Sequence, residues 1–285
     1  MTRPPACPLW FPPAERLASP LRPFLHKLKH ALTSTRTWTV VLTLASAAAP
    51  GSAPAGVSSD SPRLGAPGML EPHTGSLLVD YYEAFLRDTD IEAFRLHVLS
   101  RYTQATLTRL IESPNVPSRR AAMLALGLIG TFESNAAVAK GLRDADPTVR
   151  DLADNALWAI WFRADSPENN ATLEKVHNLI GRGQLGPAID LATRLIARAP
   201  TFAEAYNQRA IAHFALGRFD QSAEDCQRVL ERNPVHIGAL AGLGRCQIQL
   251  NQRREALKTF RRALTLQPHI PSLRQAVAAL EAEEE

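Results

Sequence analysis

The sequence predicts an all-α chain, an α-solenoid of helix–turn–helix repeats, and three observations predict it. Prolines stand at positions 200, 234 and 268, two successive spacings of 34 residues. Upstream, a second pattern recurs with a spacing of 31. Inside both patterns the apolar residues follow the 3.6-residue period of helices rather than the alternation of strands.

The downstream pattern is the clearer one. The segments LGPAIDLATRLIARAP, FDQSAEDCQRVLERNP and RREALKTFRRALTLQP align ahead of Pro200, Pro234 and Pro268. Seventeen residues before each proline stand Gly183, Gly217 and Asn251. These residue types tolerate the left-handed backbone that closes a helix and reverses the chain. Each unit is therefore two helices around a tight turn. The second helices keep an inward apolar face, with columns Ala188/Ser222/Ala256, Ala192/Cys226/Phe260, Leu195/Val229/Ala263 and Ile196/Leu230/Leu264. In the first helix of the middle unit, Tyr206, Ala210 and His213 form one stripe, and small Ala210 and Gly244 allow close helix approach. At this period these residues resemble the tetratricopeptide repeat family over about residues 169–272, with units near 169–202, 203–236 and 237–270. Val176 departs from the small residue expected in the first unit. Leu273, Ala276, Val277 and Leu280 then form a capping helix within 273–285, ending in an acidic tail.

Residues 77–165 form a second helical array. Ser118–Ile129 matches Val149–Ile160 on a shift of 31, which aligns Ala122 with Ala153. Asp146 before Pro147 is a helix start, because the carboxylate accepts free amides and proline lacks a donor that the first turn does not need. The string LRDADPTVRDLADNAL resembles short HEAT-like repeats, and 75–112 supplies a further, degenerate unit. Trp158, Trp161 and Phe162 end this array beside Ser166-Pro167. They read as core that joins the two arrays rigidly, in preference to an exposed ligand patch.

With 285 residues and 45% apolar side chains, the chain can bury about two domain cores, which excludes a disulfide scaffold, a fibrous protein or a wholly disordered chain. The net charge of +4 is local. Arg3, Arg16, Arg22, Lys27, Lys29 and Arg36 face Glu15 alone in residues 1–48, leaving 26 bases against 27 acids in the rest. Such a balance argues against nucleic acid as a partner. The leader, residues 1–76, is rich in Pro, Ala and Ser. It contains a basic amphipathic stretch (Leu21, Phe24, Leu25, Leu28, Leu32) and an uncharged run at 37–49 ending in Ala45-Ser46-Ala47. That order predicts export to the periplasm or beyond. An uncleaved membrane anchor, an organellar transit peptide, a start of translation further in and a plain tail on a cytoplasmic protein are the alternatives. His26 and His30 are one turn apart, but two ligands in such a leader do not make a metal site.

No catalytic motif is present: there is no HExxH, CxxC or GxSxG, and Gly181, Gly183 and Gly186 lie in a helix turn rather than after a strand. The sequence thus assigns no catalytic residue, cofactor or metal, and makes small molecules secondary to proteins as ligands. Cys226 and Cys246 read as buried free thiols, with a disulfide as the alternative in an exported chain.

The family resemblance implies a concave groove lined by the first helices. On the register of 34 its columns are Leu173/Asn207/Ala241, His177/Ile211/Arg245 and Ile180/Phe214/Ile248, with Gln208 beside them. Relatives that grip a free chaperone-tail carboxylate use Lys, Asn and Arg at places that hold Leu173, His177, Gln208, Gly238 and Gly242 here. Without those cations a carboxylate would be desolvated unpaired. The expectation is a non-catalytic interaction scaffold whose groove takes a partner helix or an internal extended segment, although these columns serve equally well as packing between repeats. An accessory subunit of an enzyme or membrane-associated assembly is the alternative, and a cryptic enzyme the weaker one.

Overall fold

The computed structural model describes residues 76–282, so the expectations for residues 1–75 and for the last three glutamates lie outside the described residues. Among the described residues there are thirteen α-helices, two single-turn 3-10 segments and no strand. None of these helices is long and apolar enough to cross a membrane.

The upstream array consists of α1 (Leu77–Asp88), α2 (Ile91–Arg101), α3 (Gln104–Leu110), α4 (Val116–Ile129), α5 (Asn135–Lys140) and α6 (Pro147–Phe162). Its 31-residue repetition is visible in hydrogen bonds. Asn115 caps α4 by accepting from the Ser118 amide at 2.9 Å, and Asp146 caps α6 by accepting from the Val149 amide at 2.9 Å. Arg119 donates to the carbonyls of Ser113 and Pro114, and Arg150, 31 residues later, donates to those of Asp144 and Ala145. Bidentate pairs tie the two turns together: Arg119 to Asp144 at 2.8 and 2.9 Å, and Arg120 to Asp146 at 2.9 and 2.6 Å. Gly127 lets α4 and α6 touch, since a Cβ there would stand 3.2 Å from that of Ala156. The first unit departs from the pair pattern. Its α1 and α2 form a hairpin sealed by Phe85 against Phe94, with ring centroids 6.0 Å apart, and α3 follows as a short separate helix.

The downstream array pairs α7 (Pro167–Gly181) with α8 (Leu185–Arg198), α9 (Ala203–Ala215) with α10 (Phe219–Arg232) and α11 (Ile237–Gln249) with α12 (Arg253–Leu266), and ends in α13 (Pro271–Ala282). The predicted turns are left-handed, with φ of +73° at Gly183, +73° at Gly217 and +58° at Asn251. Each is followed by the same bond back across the helix end: Gln184 N to Leu179 O, Arg218 N to His213 O and Gln252 N to Gln247 O, at 2.9, 3.0 and 2.7 Å.

Inside the pairs, size is exchanged between two places. In the register of 34 they hold Val176 with Ala192, Ala210 with Cys226 and Gly244 with Phe260, all buried. As the first-helix residue shrinks, the second-helix residue grows. Val176, which departs from the expected small residue, is thus matched by a small Ala192. At the other extreme, a Cβ on Gly244 would lie within 2.4 Å of the Phe260 ring. Cys226 and Cys246 are free and buried. Cys246 donates to Ser222 Oγ at 3.2 Å, and the contact with Cys246, together with burial, raises the Cys226 thiol well above its ordinary value.

Candidate functional site: a half-covered concave face

The first helices α7, α9 and α11 carry the nine residues predicted to line the groove, and the structure divides them. Leu173, Ile180, Asn207, Gln208 and Ile211 are buried, while His177, Phe214, Arg245 and Ile248 are half-buried. The five buried residues do not form an open floor. The arrays turn so that the last turn of α6 lies over the N-terminal ends of α9 and α11.

The cover is aromatic. Trp161 stacks on His236 with centroids 3.9 Å apart and planes at 19°, Trp158 meets the same ring edge-on at 6.0 Å, and Phe162 meets His177 edge-on at 5.5 Å. Trp158 also reaches α11 itself, where a Cβ on Gly238 would make an ordinary contact with the indole at 3.5 Å and a tighter one, at 3.2 Å, with the His236 ring. This is the face where a carboxylate clamp would need Gly238, Gly242 and Gln208 exposed, and all three are buried.

Behind the rings runs a chain of buried polar groups. Trp161 Nε1 donates to Asn135 Oδ1 at 2.7 Å, which orients that amide, so Asn135 Nδ2 donates to Asn233 Oδ1 at 2.9 Å. His236 caps α11 by accepting from the Ala239 amide through Nδ1 at 3.0 Å. Its Nε2 is therefore the donor, and it meets Glu204 Oε2 at 2.9 Å. Glu204 Oε1 accepts from Asn207 Nδ2 at 2.9 Å and Gln208 Nε2 at 2.7 Å. Gln208 Oε1 faces His177 Nδ1 at 3.2 Å. A buried carboxylate is thus held by three N–H groups and no Lys or Arg. Two atoms in the chain, Asn207 Oδ1 and Asn233 Nδ2, have no hydrogen-bond partner.

Glu204, His236, Asn135 and Asn233 were not among the predicted site residues, although the register held a signal for two of them. His236 falls in the column Phe202/His236/Ile270 and Glu204 in the column Glu204/Gly238/Ser272, each a polar residue where its equivalents are apolar or small.

Arg163 leaves the end of α6 and donates to the carbonyls of Gly127 and Gly130 at 2.8 and 3.2 Å, closing the C-terminus of α4. Burial lowers its guanidinium to about 10. At the edge of the join a cleft of about 350 Å³ opens between Phe132, Trp161 and Ala164 on one side and Thr201–Glu204 and Arg232 on the other. The ends of Arg232 are already engaged, with the Pro200 and Arg228 carbonyls and the Tyr206 hydroxyl.

Beyond the cover the concave face continues as a strip. Phe214 lies edge-on to Phe219 with centroids 5.2 Å apart. Arg245 is desolvated, which lowers its guanidinium, and its Nη1 has no partner. Ile248 lies one turn further along α11. No group of three His, Cys, Asp or Glu residues able to hold a metal occurs among the described residues.

Residues 203–236 and 237–270 each match a family model described as tetratricopeptide repeat. A TPR repeat-containing protein of Rhizobium etli is 28% identical over 126 residues, which is 44% of this chain and 62% of that protein. Sperm-associated antigen 1 of Mus musculus is 34% identical over 86 residues, 30% of this chain and 9% of that protein. The chain thus spans less than two thirds of the length of these relatives. Among solved structures, the first TPR of Spaghetti bound to an HSP90 peptide aligns with a TM-score of 0.41 and 24% identity, over 42% of this chain and 94% of that one. The Sgt2 TPR domain of Aspergillus fumigatus aligns with a TM-score of 0.40 and 20% identity, over 42% and 81%. The upstream array and the α7–α8 pair lie outside both family matches. Over residues 203–270, the pairs α9–α10 and α11–α12 are tetratricopeptide repeats, and all regular structure among the described residues is helical.

Proposed function

We propose that this chain is a non-catalytic scaffold that holds a segment of a partner protein along the uncovered strip of its concave face. The observation that carries the proposal is the strip itself: Phe214 and Ile248 offer half-buried apolar surface, and one turn before Ile248 on α11 Arg245 holds a guanidinium whose buried Nη1 has no partner. Apolar anchors beside one desolvated donor suit a helix or extended segment with an acidic residue among apolar ones. His177 extends the strip onto the first pair. The upstream array acts as a HEAT-like extension that fixes where the strip begins, and the leader directs the scaffold to an exported or membrane-anchored location.

A photo-crosslinking residue at Ile248 in the full chain, expressed in its own host, tests the function. Cross-linked partner should fall at least about tenfold with Arg245→Glu, as expected when a hydrogen-bonded charge at an interface is reversed, and stay unchanged with Thr265→Glu on the far side. Equal yields from all three chains would reject the strip. Mass spectrometry of the same cells tests location: a mature N-terminus near Ala48 supports export, and an intact Met1 in the membrane fraction supports an anchor.

A further inference from the structure

The last turn of α6 sits on the repeat array as a bound ligand would. It offers Trp158, Trp161 and Phe162, spaced i, i+3 and i+4, to one face of α7, α9 and α11. The seam beneath differs from the rest of the core. It contains a carboxylate, a histidine and four amides, it leaves Asn207 Oδ1 and Asn233 Nδ2 without partners, and it is incompletely filled at the cleft of about 350 Å³. Within one chain, polar and loosely filled interfaces behave like transient protein–protein contacts, for which relative movement is the normal expectation. The only chain joining the two sides is the four-residue turn 163–166.

We infer that α6 is a ligand of the repeat groove held in cis, and that the groove's binding class is an amphipathic helix with tryptophans at i and i+3 and a third aromatic at i+4. A partner helix with that pattern exchanges with α6, the upstream array swinging about residues 163–166. The His236 ring takes the second indole face-on at 3.9 Å and the first edge-on at 6.0 Å, so the chemistry selects flat aromatic anchors over aliphatic ones. The inference rests on reading the chain as a segment-binding scaffold.

The test uses the full chain and a fluorescein-labelled peptide of its own residues 147–162, read by anisotropy. In the wild type the tethered turn competes at an effective concentration in the millimolar range, so the peptide binds weakly. Trp158→Ala with Trp161→Ala weakens the cis ligand and leaves the groove intact. This chain should bind the peptide at least about 30-fold more tightly, the factor lost when an aromatic hot-spot residue is truncated. A peptide with both tryptophans changed to Ala should not bind. Asn135→Ala, which removes the amide bridge to Asn233 and the acceptor of Trp161 Nε1 but keeps both indoles, is the milder variant and should give about fivefold. If neither variant, each still helical and unfolding cooperatively, binds more tightly than wild type, α6 is permanent core and the inference falls. Equal binding of the tryptophan-free peptide overturns it as well. Neither outcome touches the strip, because cross-linking at Ile248 uses the unaltered groove cover and a different ligand.

Discussion

The two arrays close their helices with different chemistry. In the upstream array, side chains end and begin helices: Asp90, Thr103, Asn115 and Asp146 each accept an amide at a helix start, and arginines bind the carbonyls of the preceding turn. In the downstream array, α8, α10 and α12 start with no side-chain cap, and the work is done by left-handed backbone at Gly183, Gly217 and Asn251. The upstream array relies mainly on charged and polar side chains, and the turns inside the downstream pairs on backbone geometry and volume, with the Ser166 and His236 caps and the Arg209–Asp225 pair as the downstream polar exceptions. The upstream array should therefore respond to pH and cap removal, and the downstream array to changes of size at its glycines and at the residues opposite them.

The largest effect should come from volume. Phe260 is almost wholly buried against Gly244, and Phe260→Ala should destabilise the chain by about 3–5 kcal/mol through lost burial and a cavity. Gly244→Ala should cost about 1–3 kcal/mol, because the added methyl overlaps a buried ring that must shift to admit it. The sharper experiment is a cycle. Phe260→Cys with Gly244→Ala recreates the Ala210/Cys226 pair of the preceding repeat, so the double variant should be more stable than the sum of the singles by about 1–2 kcal/mol in urea unfolding. Strict additivity would show that size is not exchanged between the two places.

Removing a cap comes next. Asp146→Ala takes away both the Val149 cap and the Arg120 pair and should cost about 1–2 kcal/mol. It should also change the acid limb. Arg120's hydrogen bonds hold the Asp146 carboxyl below its ordinary value, against the penalty of burial and with help from the Val149 amide. A carboxyl lowered in this way contributes stability that is complete above the unfolded value of about 3.9 and is lost as pH falls through the lower folded value. Thermal unfolding between pH 5 and pH 2, taken as about the usual acid range, should therefore fall more steeply in the wild type than in Asp146→Asn. Parallel curves would mean that the pair contributes nothing.

How much of this was legible follows from how local each feature is. The turns were legible because a left-handed position needs Gly or Asn at one place in the chain, and the period of 34 repeats that place. The size exchange was half legible: Val176 stood out as a departure, but Ala192 opposite it has meaning only once the helices are paired. The covered groove was not legible in the same way. Which face of α9 is buried depends on how the upstream array turns back, and the contact that pins it joins Asn135 to Asn233, 98 residues apart. Leu173 packs with Leu195, Ala199, Phe202 and Ala205 inside the repeats, the packing that the columns equally allowed, while the rings over His177 and His236 come from a different array, which no repeat pattern records.

The smallest effects test the backbone half of the comparison. Gly217 has a φ of +73° with nothing within 4 Å of an added Cβ, so Gly217→Ala should cost about 1–2 kcal/mol from backbone strain alone. Asn251 occupies the equivalent position at +58°, and Asn tolerates this region better than other non-glycine residues. Asn251→Gly then relieves a small strain while adding freedom to the unfolded chain, and the two nearly cancel. The expected change is within about 0.5 kcal/mol, measured by urea unfolding beside Gly217→Ala. A loss above about 1 kcal/mol would mean that the Asn251 side chain, and not only its backbone, closes the third turn. That would add a side-chain device at a turn inside a pair to the His236 cap that already starts α11, and narrow the difference between the two arrays.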